Sequence, residues 1–132
     1  MEERDVGSLR FVLDLSRPIY EQIIQQLSGA IARGDLDLGE KIPSVRDLAQ
    51  GLKAAPNTVL HAYQELERVR LIETRRGQGT FVTMSMAVIQ KFRAKLAQER
   101  LREFRQQMER LGFSLKEIRH LLGEESPGGE KI

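Results

Sequence analysis

Residues 44–82, SVRDLAQGLKAAPNTVLHAYQELERVRLIETRRGQGTFV, constrain the fold more than any other stretch of the chain. Their pattern predicts a helix, a tight turn, a second helix and then a two-stranded hairpin with the glycine-rich tip RRGQG. The second helix sorts into two faces. Val59, Ala62, Tyr63 and Leu66 recur at spacings of 3, 4 and 7, which place side chains on one side of a helix. Asn57, Leu60, His61, Gln64 and Arg68 fall on the other side, four of them polar donors or acceptors. A helix docked by one face, with amide, imidazole and guanidinium groups on the other, suits the major groove of DNA.

The first helix of this pair starts at Ser44, a capping residue with Asp47 three positions on, a shortened capping box. Val45, Leu48, Ala49 and Leu52 face inward and Arg46 outward. Arg46, beside free helix N–H groups, is either a phosphate ligand or an ordinary exposed arginine. Pro56 opens the second helix where proline is tolerated. Asn57 and Thr58 behind it can cap the backbone locally, contact DNA, or do both. His61, one turn beyond Asn57, is a structural histidine, a solvent-facing one, or a base or phosphate contact, and its place on the polar face favours the contact. In the hairpin, Leu71–Thr74 and Thr80–Val82 are the expected strands. Arg75, Arg76, Gly77, Gln78 and Gly79 form the tip, where glycine permits positive φ and close backbone approach. Such a tip suits a minor groove or phosphates. Its GxG is not a nucleotide loop, because no helix follows it.

Upstream, residues 9–15, LRFVLDL, alternate with period two, as a short strand with one buried face or an arm lying across a neighbour. Ser16 is placed to cap the next helix, Pro18 to sit in its first turn and Gly34 to end it. Tyr20, Ile23, Ile24, Leu27, Ala30 and Ile31 form its expected buried stripe. Lys41 and Ile42 are expected to add a third short strand beside the hairpin.

Downstream, a helix of about 27 residues is expected from Ser85, on the length of its apolar pattern. Val88, Phe92 and Leu96 open its stripe, which continues as Ala97, Leu101, Phe104, Met108 and Leu111. The spacings of 4, 3, 4 and 3 in the second set are those of a helix packed along another helix. One helix cannot bury so wide a stripe by itself, so self-association is expected through Val88, Phe92, Leu96, Leu101, Phe104, Met108 and Leu111. Gly112 ends this helix. Ser114 and Glu117 then make a full capping box, with Phe113 and Ile118 at the staple positions of a short helix that folds back. GEESPGGEKI reads as a disordered tail.

Composition narrows the functional classes. The chain of 132 residues contains no cysteine, which excludes disulfides and thiolate metal sites. His61 and His120 lie far apart and offer no metal-ligand spacing, and no cofactor motif is present. No paired acid and base and no nucleophile with a base partner stands out, so an enzyme is not expected. No apolar run approaches the roughly 20 residues that span a bilayer. The acidic start MEERDVG does not resemble a signal peptide, and a cytoplasmic location is expected. The net charge of +2 is uneven: residues 1–40 carry −4, residues 41–82 carry +3, residues 83–110 carry +4 and residues 111–132 carry −1. A basic middle suits phosphate contact or is ordinary solvated surface; charge alone does not separate the two.

The segments PIYEQI, KIPSVRDLA and PNTVLHAYQELE, in this order and followed by the hairpin, resemble the winged helix-turn-helix of the GntR family of bacterial transcription regulators. The short helical C-terminal part resembles the YtrA-like subfamily. The resemblance covers residues 9–122 and is strongest over 18–82. It implies a mainly α chain with a small β wing (α+β). A winged helix-turn-helix DNA-binding domain over residues 1–83 would precede a helical dimerisation domain over 84–122 and a tail over 123–132. It implies DNA contacts from Ser44 and Arg46, from Asn57, Thr58, His61 and Gln64 on the recognition helix, and from Arg75, Arg76, Gly77, Gln78 and Gly79 in the wing. Many relatives carry arginine where Pro56 and Leu60 stand, so guanine readout from those two positions is missing here. Lys53 stands where glycine is common, and Ala55 where a capping serine or asparagine is common.

The implied protein is a homodimeric repressor on a double-stranded, pseudo-palindromic operator. Only 50 residues follow Val82, too few for a separate effector domain, so any small effector would bind at the dimer interface or between wing and helices. The competing reading is a winged-helix protein-interaction module without sequence-specific DNA binding. Polar Asn57, His61 and Gln64 weigh against it, since protein interfaces favour aromatic anchors.

Overall fold

Alternation over residues 9–13 gives a strand whose Leu9, Phe11 and Leu13 are buried while Arg10 and Val12 face out. A computed structural model describes residues 1–123 of the chain, so nearly all of the expected tail lies outside the described residues. The order is β1 (Glu2–Val6), β2 (Leu9–Leu13), α1 (Ile19–Arg33), β3 (Lys41–Ile42), α2 (Val45–Leu52), α3 (Pro56–Arg68), β4 (Ile72–Arg75), β5 (Gly79–Val82), α4 (Met86–Arg110) and α5 (Leu115–Leu121). This is the expected mainly α chain with small antiparallel sheets. It forms two compact units, Met1–Arg93 and the residues from Ala94 on.

Strand β1 was not anticipated. It pairs antiparallel with β2, Glu2 opposite Leu13 and Val6 opposite Leu9, which makes a hairpin of the N-terminal segment. The free edge of β2 would leave backbone groups unpaired. Two glutamines one turn apart on α1 satisfy it instead. The Gln26 amide accepts from the Val12 N–H at 2.8 Å and donates to the Val12 carbonyl at 2.6 Å. The buried Gln22 accepts from the Asp14 N–H at 2.7 Å and donates to the Asp14 carbonyl at 2.8 Å. The inward stripe of α1 therefore mixes Ile23, Leu27 and Ile31 with Gln22 and Ser28, while Tyr20 stays 36% exposed. Ser16 does not cap α1; its hydroxyl and N–H both donate to Asp14, and Pro18 occupies the cap position. Gly34 ends the helix at φ +83°, in the left-handed region.

Strand β1 lies against α2, where Arg4 donates to the Leu52 carbonyl at 2.6 Å and is ion-paired with Glu2. Close approach explains Gly51: a Cβ there would collide with the Val6 side chain. Gly51→Ala, normally favourable in a helix by about 1 kcal/mol, is expected instead to destabilise by about 1–3 kcal/mol through overpacking. Thermal denaturation checks this, and a Tm at or above that of the unsubstituted protein would refute it.

Ser44 caps α2 by accepting from the Asp47 N–H at 3.0 Å, and α3 packs on both α1 and α2. Val59, Ala62, Tyr63 and Leu66 of α3 join Leu48 and Leu52 of α2, Ile23 and Leu27 of α1, and Leu71, Ile72 and Val82 of the wing in one core. Fully buried aliphatic and aromatic side chains of this kind contribute roughly 1.5–3 kcal/mol each. The sheet order β3-β5-β4 makes Lys41–Ile42 the third strand of the wing, as expected.

In the first unit, the opening turns of α4 lie against the same core, Ile89 buried and Val88 and Phe92 half-buried. In the second unit Ser114 and Glu117 form the full capping box, and Ile118 is buried with Phe113 half-buried. Its hydrogen bonds to Ser114 hold the Glu117 carboxyl below the usual carboxylate range. Leu121 and Leu122 remain exposed.

Candidate nucleic-acid interface

The recognition-type helix α3 begins abruptly. Ala55 precedes it in extended backbone, Pro56 fills the first helical position, and no side chain caps the start. Local capping, the alternative role of Asn57 and Thr58, is thus not what their side chains do here. The turn from α2 runs through Lys53 at φ +55°, a left-handed conformation more costly for lysine than for glycine. Four inward residues of α3 are almost completely buried, and Asn57, Leu60, His61, Gln64 and Arg68 are exposed. Tyr63 anchors the helix, its hydroxyl donating to the Pro43 carbonyl at 2.6 Å. Burial pushes the Tyr63 phenol well above its ordinary pKa, so it remains a neutral donor.

Pro43 leads directly into Ser44 and Arg46, so the Tyr63 bond ties the start of α2 to α3. Arg46 is exposed and, among the described residues, has no carboxylate partner. The Asn57, His61 and Gln64 side chains likewise make no hydrogen bond among the described residues. Arg68, at the far end, is occupied: its bond with Glu65 raises the guanidinium pKa and lowers that of the carboxyl.

The wing divides its expected contacts. Arg76, Gly77 and Gln78 form the turn, with Gly77 at φ +77°, and all three are exposed. Arg75 and Gly79 belong to the strands, directly opposite each other. Arg75 donates to Glu73 at 2.7 Å and its guanidinium lies 4.2 Å from the centre of the Phe81 ring. Its charge is largely offset within the sheet. Glu73, two residues before Arg75 on β4, shares its face of the strand, whereas Phe81 reaches Arg75 only when β4 and β5 pair. No group of three or more potential metal ligands occurs among the described residues, and no described helix is long and apolar enough to cross a membrane.

Three helices with α3 presented outward, followed by a three-stranded wing, define a winged helix-turn-helix. The profile of bacterial regulatory proteins of the gntR family matches residues 19–82. An HTH-type transcriptional regulator of Bacillus subtilis, YhcF, is 42% identical over 103 residues, covering 78% of this chain and 85% of its own. The B. subtilis transcriptional repressor YtrA is 54% identical over 68 residues, 52% of each chain. A GntR family transcriptional regulator from Listeria monocytogenes has the same architecture, with a TM-score of 0.76 at 33% identity over 85% of this chain and 98% of its own. The chain belongs to the GntR family of bacterial transcription regulators and is YtrA-like within it. The family and these relatives are regulators, not enzymes.

Proposed function

We propose that this chain is a cytoplasmic, homodimeric repressor that reads a pseudo-palindromic DNA operator, one recognition helix to each half-site. The observation that carries the reading is the division of α3: four side chains lock it to the core while Asn57, His61 and Gln64 stand unengaged on the opposite face. Thr58 and the exposed wing turn Arg76–Gln78 supply adjoining contacts, with Gly77 and Gly79 shaping the backbone. Ser44 and Arg46 place a cation and helix N–H groups at the backbone phosphates. The repressive sign follows the relative YtrA. Dimerisation rests on the apolar face of α4 in the second unit, where Leu101 and Leu111 are 64% and 73% exposed and Phe104 and Met108 lie between them. Leu96 continues that face, whereas Val88 and Phe92 are already half-covered by the core of their own chain.

Selection from a random duplex pool tests the proposal. Recovery of an inverted repeat is the expected result, and its spacing measures the separation of the two recognition helices. Recovery of no motif, with binding that vanishes at modest salt, would leave only phosphate attraction and bring the interaction-module reading forward. Arg46→Ala is expected to weaken binding similarly on all sequences and to make the salt slope shallower by about one unit per bound protomer. An unchanged slope in a salt titration would remove Arg46 from the contacts.

A further inference from the structure

Lys41 has no part in the contacts described so far, yet its placement is specific. It opens β3 opposite Phe81, and paired residues share a face of the sheet. Ile42, next along, is buried, so Lys41 stands on the outer face with Phe81 and Arg75. From there its stem crosses β5. A Cβ at Gly79 would stand 2.7 Å from Lys41 Cε and 3.5 Å from its Nζ, so the lysine stem lies directly over the bare backbone at that position. The ammonium is thereby laid against the base of the wing turn.

The neighbouring charges differ in kind. Arg75, on the same face, is ion-paired with Glu73. Lys41 has no ion pair or hydrogen-bond acceptor among the described residues. Its backbone is fixed from both sides: β3 pairs with β5, and the Pro43 carbonyl two residues on is held by Tyr63. Ser44, three residues beyond Lys41, caps α2 and is followed by the unpaired Arg46; across the wing stands the unpaired Arg76.

We infer that Lys41 is a further DNA-phosphate contact, which joins Arg46 at the start of α2 to Arg76 in the wing as one track of uncompensated cations. Arg75, more prominent in the sequence, is the weaker phosphate ligand of the two. The inference rests on the duplex binding proposed above.

Lys41→Met, which keeps most of the stem and removes the charge, tests it in the full chain. Binding to the selected inverted repeat and to a scrambled duplex of equal length is titrated against salt. The salt slope is expected to become shallower by about 0.9 per bound protomer on both duplexes, with affinity falling roughly fivefold per protomer at about 0.15 M salt. The preference for the repeat stays unchanged, Lys41→Arg keeps the original slope, and Tm values show that both variants are folded. A Lys41→Met slope equal to that of the unsubstituted protein, or a loss confined to the repeat, would overturn the role of Lys41 while duplex binding itself stands. No salt-dependent duplex binding by the unsubstituted protein would overturn both.

Discussion

Phe104→Glu is expected to separate the proposed dimer into monomers in sedimentation, and to cut affinity for the proposed inverted repeat by on the order of 10²–10⁴-fold. The physical reason is the surface on which Phe104 sits. In the second unit, Leu101, Phe104, Met108 and Leu111 follow one another along α4 at spacings of 3, 4 and 3, and three of the four are exposed. Water contact over a continuous apolar face is unfavourable at roughly 25 cal/mol per Å², and a second copy of the same helix removes it. A carboxylate at the centre of that contact must be desolvated without a partner, which costs several kcal/mol and exceeds what the remaining leucines return. In the proposed dimer, linked recognition helices would bind the second half-site at high effective concentration, a gain that would disappear with the dimer. Affinity for an isolated half-site should stay unchanged, because Phe104 lies in a different unit from α3. A full dimer in sedimentation would exclude this face as the interface.

Tyr63→Ala should have the largest effect on stability, about 3–5 kcal/mol, as for other large aromatic truncations in a core. Tyr63 is among the largest fully buried side chains, and it supplies the hydroxyl that holds the Pro43 carbonyl. Alanine leaves a cavity beneath α3 and an acceptor without its donor, against a typical domain stability of about 5–15 kcal/mol. Calorimetry should show a Tm lower by roughly 15–30 °C. Tyr63→Phe isolates the hydroxyl: the ring still fills the core, and the loss should be about 1 kcal/mol. Equal losses in the two variants would mean that the hydrogen bond, rather than the ring, anchors the recognition helix. The stability contributed by this bond should not vary between pH 5 and pH 8 (about the range in which only histidine ordinarily titrates), because burial raises the phenol pKa and the donor stays neutral.

Much of the helix-turn-helix and wing was legible in the sequence alone. The two faces of α3 follow from a 3.6-residue period, which every amphipathic helix must obey. Ser44, Ser114 with Glu117, and Gly34 mark helix ends because capping chemistry is local, acting within three or four residues. The two-residue β3 beside the wing was also foreseen. Local rules failed where they were applied too simply: Ser16 had a nearer partner in Asp14 than the helix start. The acidic opening residues, too, carry no strong strand pattern and became β1 only through pairing with β2.

What the chain determined by itself is therefore the helices, the wing strands and the two faces of α3, since period and caps are properties of neighbours in sequence. Tertiary structure alone decided which charges remain available and which apolar faces are covered. It brought Phe81 to Arg75, left Lys41 uncompensated across Gly79, and set Gln22 and Gln26 against the edge of β2. It also divided one long apolar stripe, giving Val88 and Phe92 to the core and leaving Leu101 and Leu111 in water. Charge compensation and burial depend on what stands within a few ångströms in space, and periodicity along one helix holds no information about which surface will meet it.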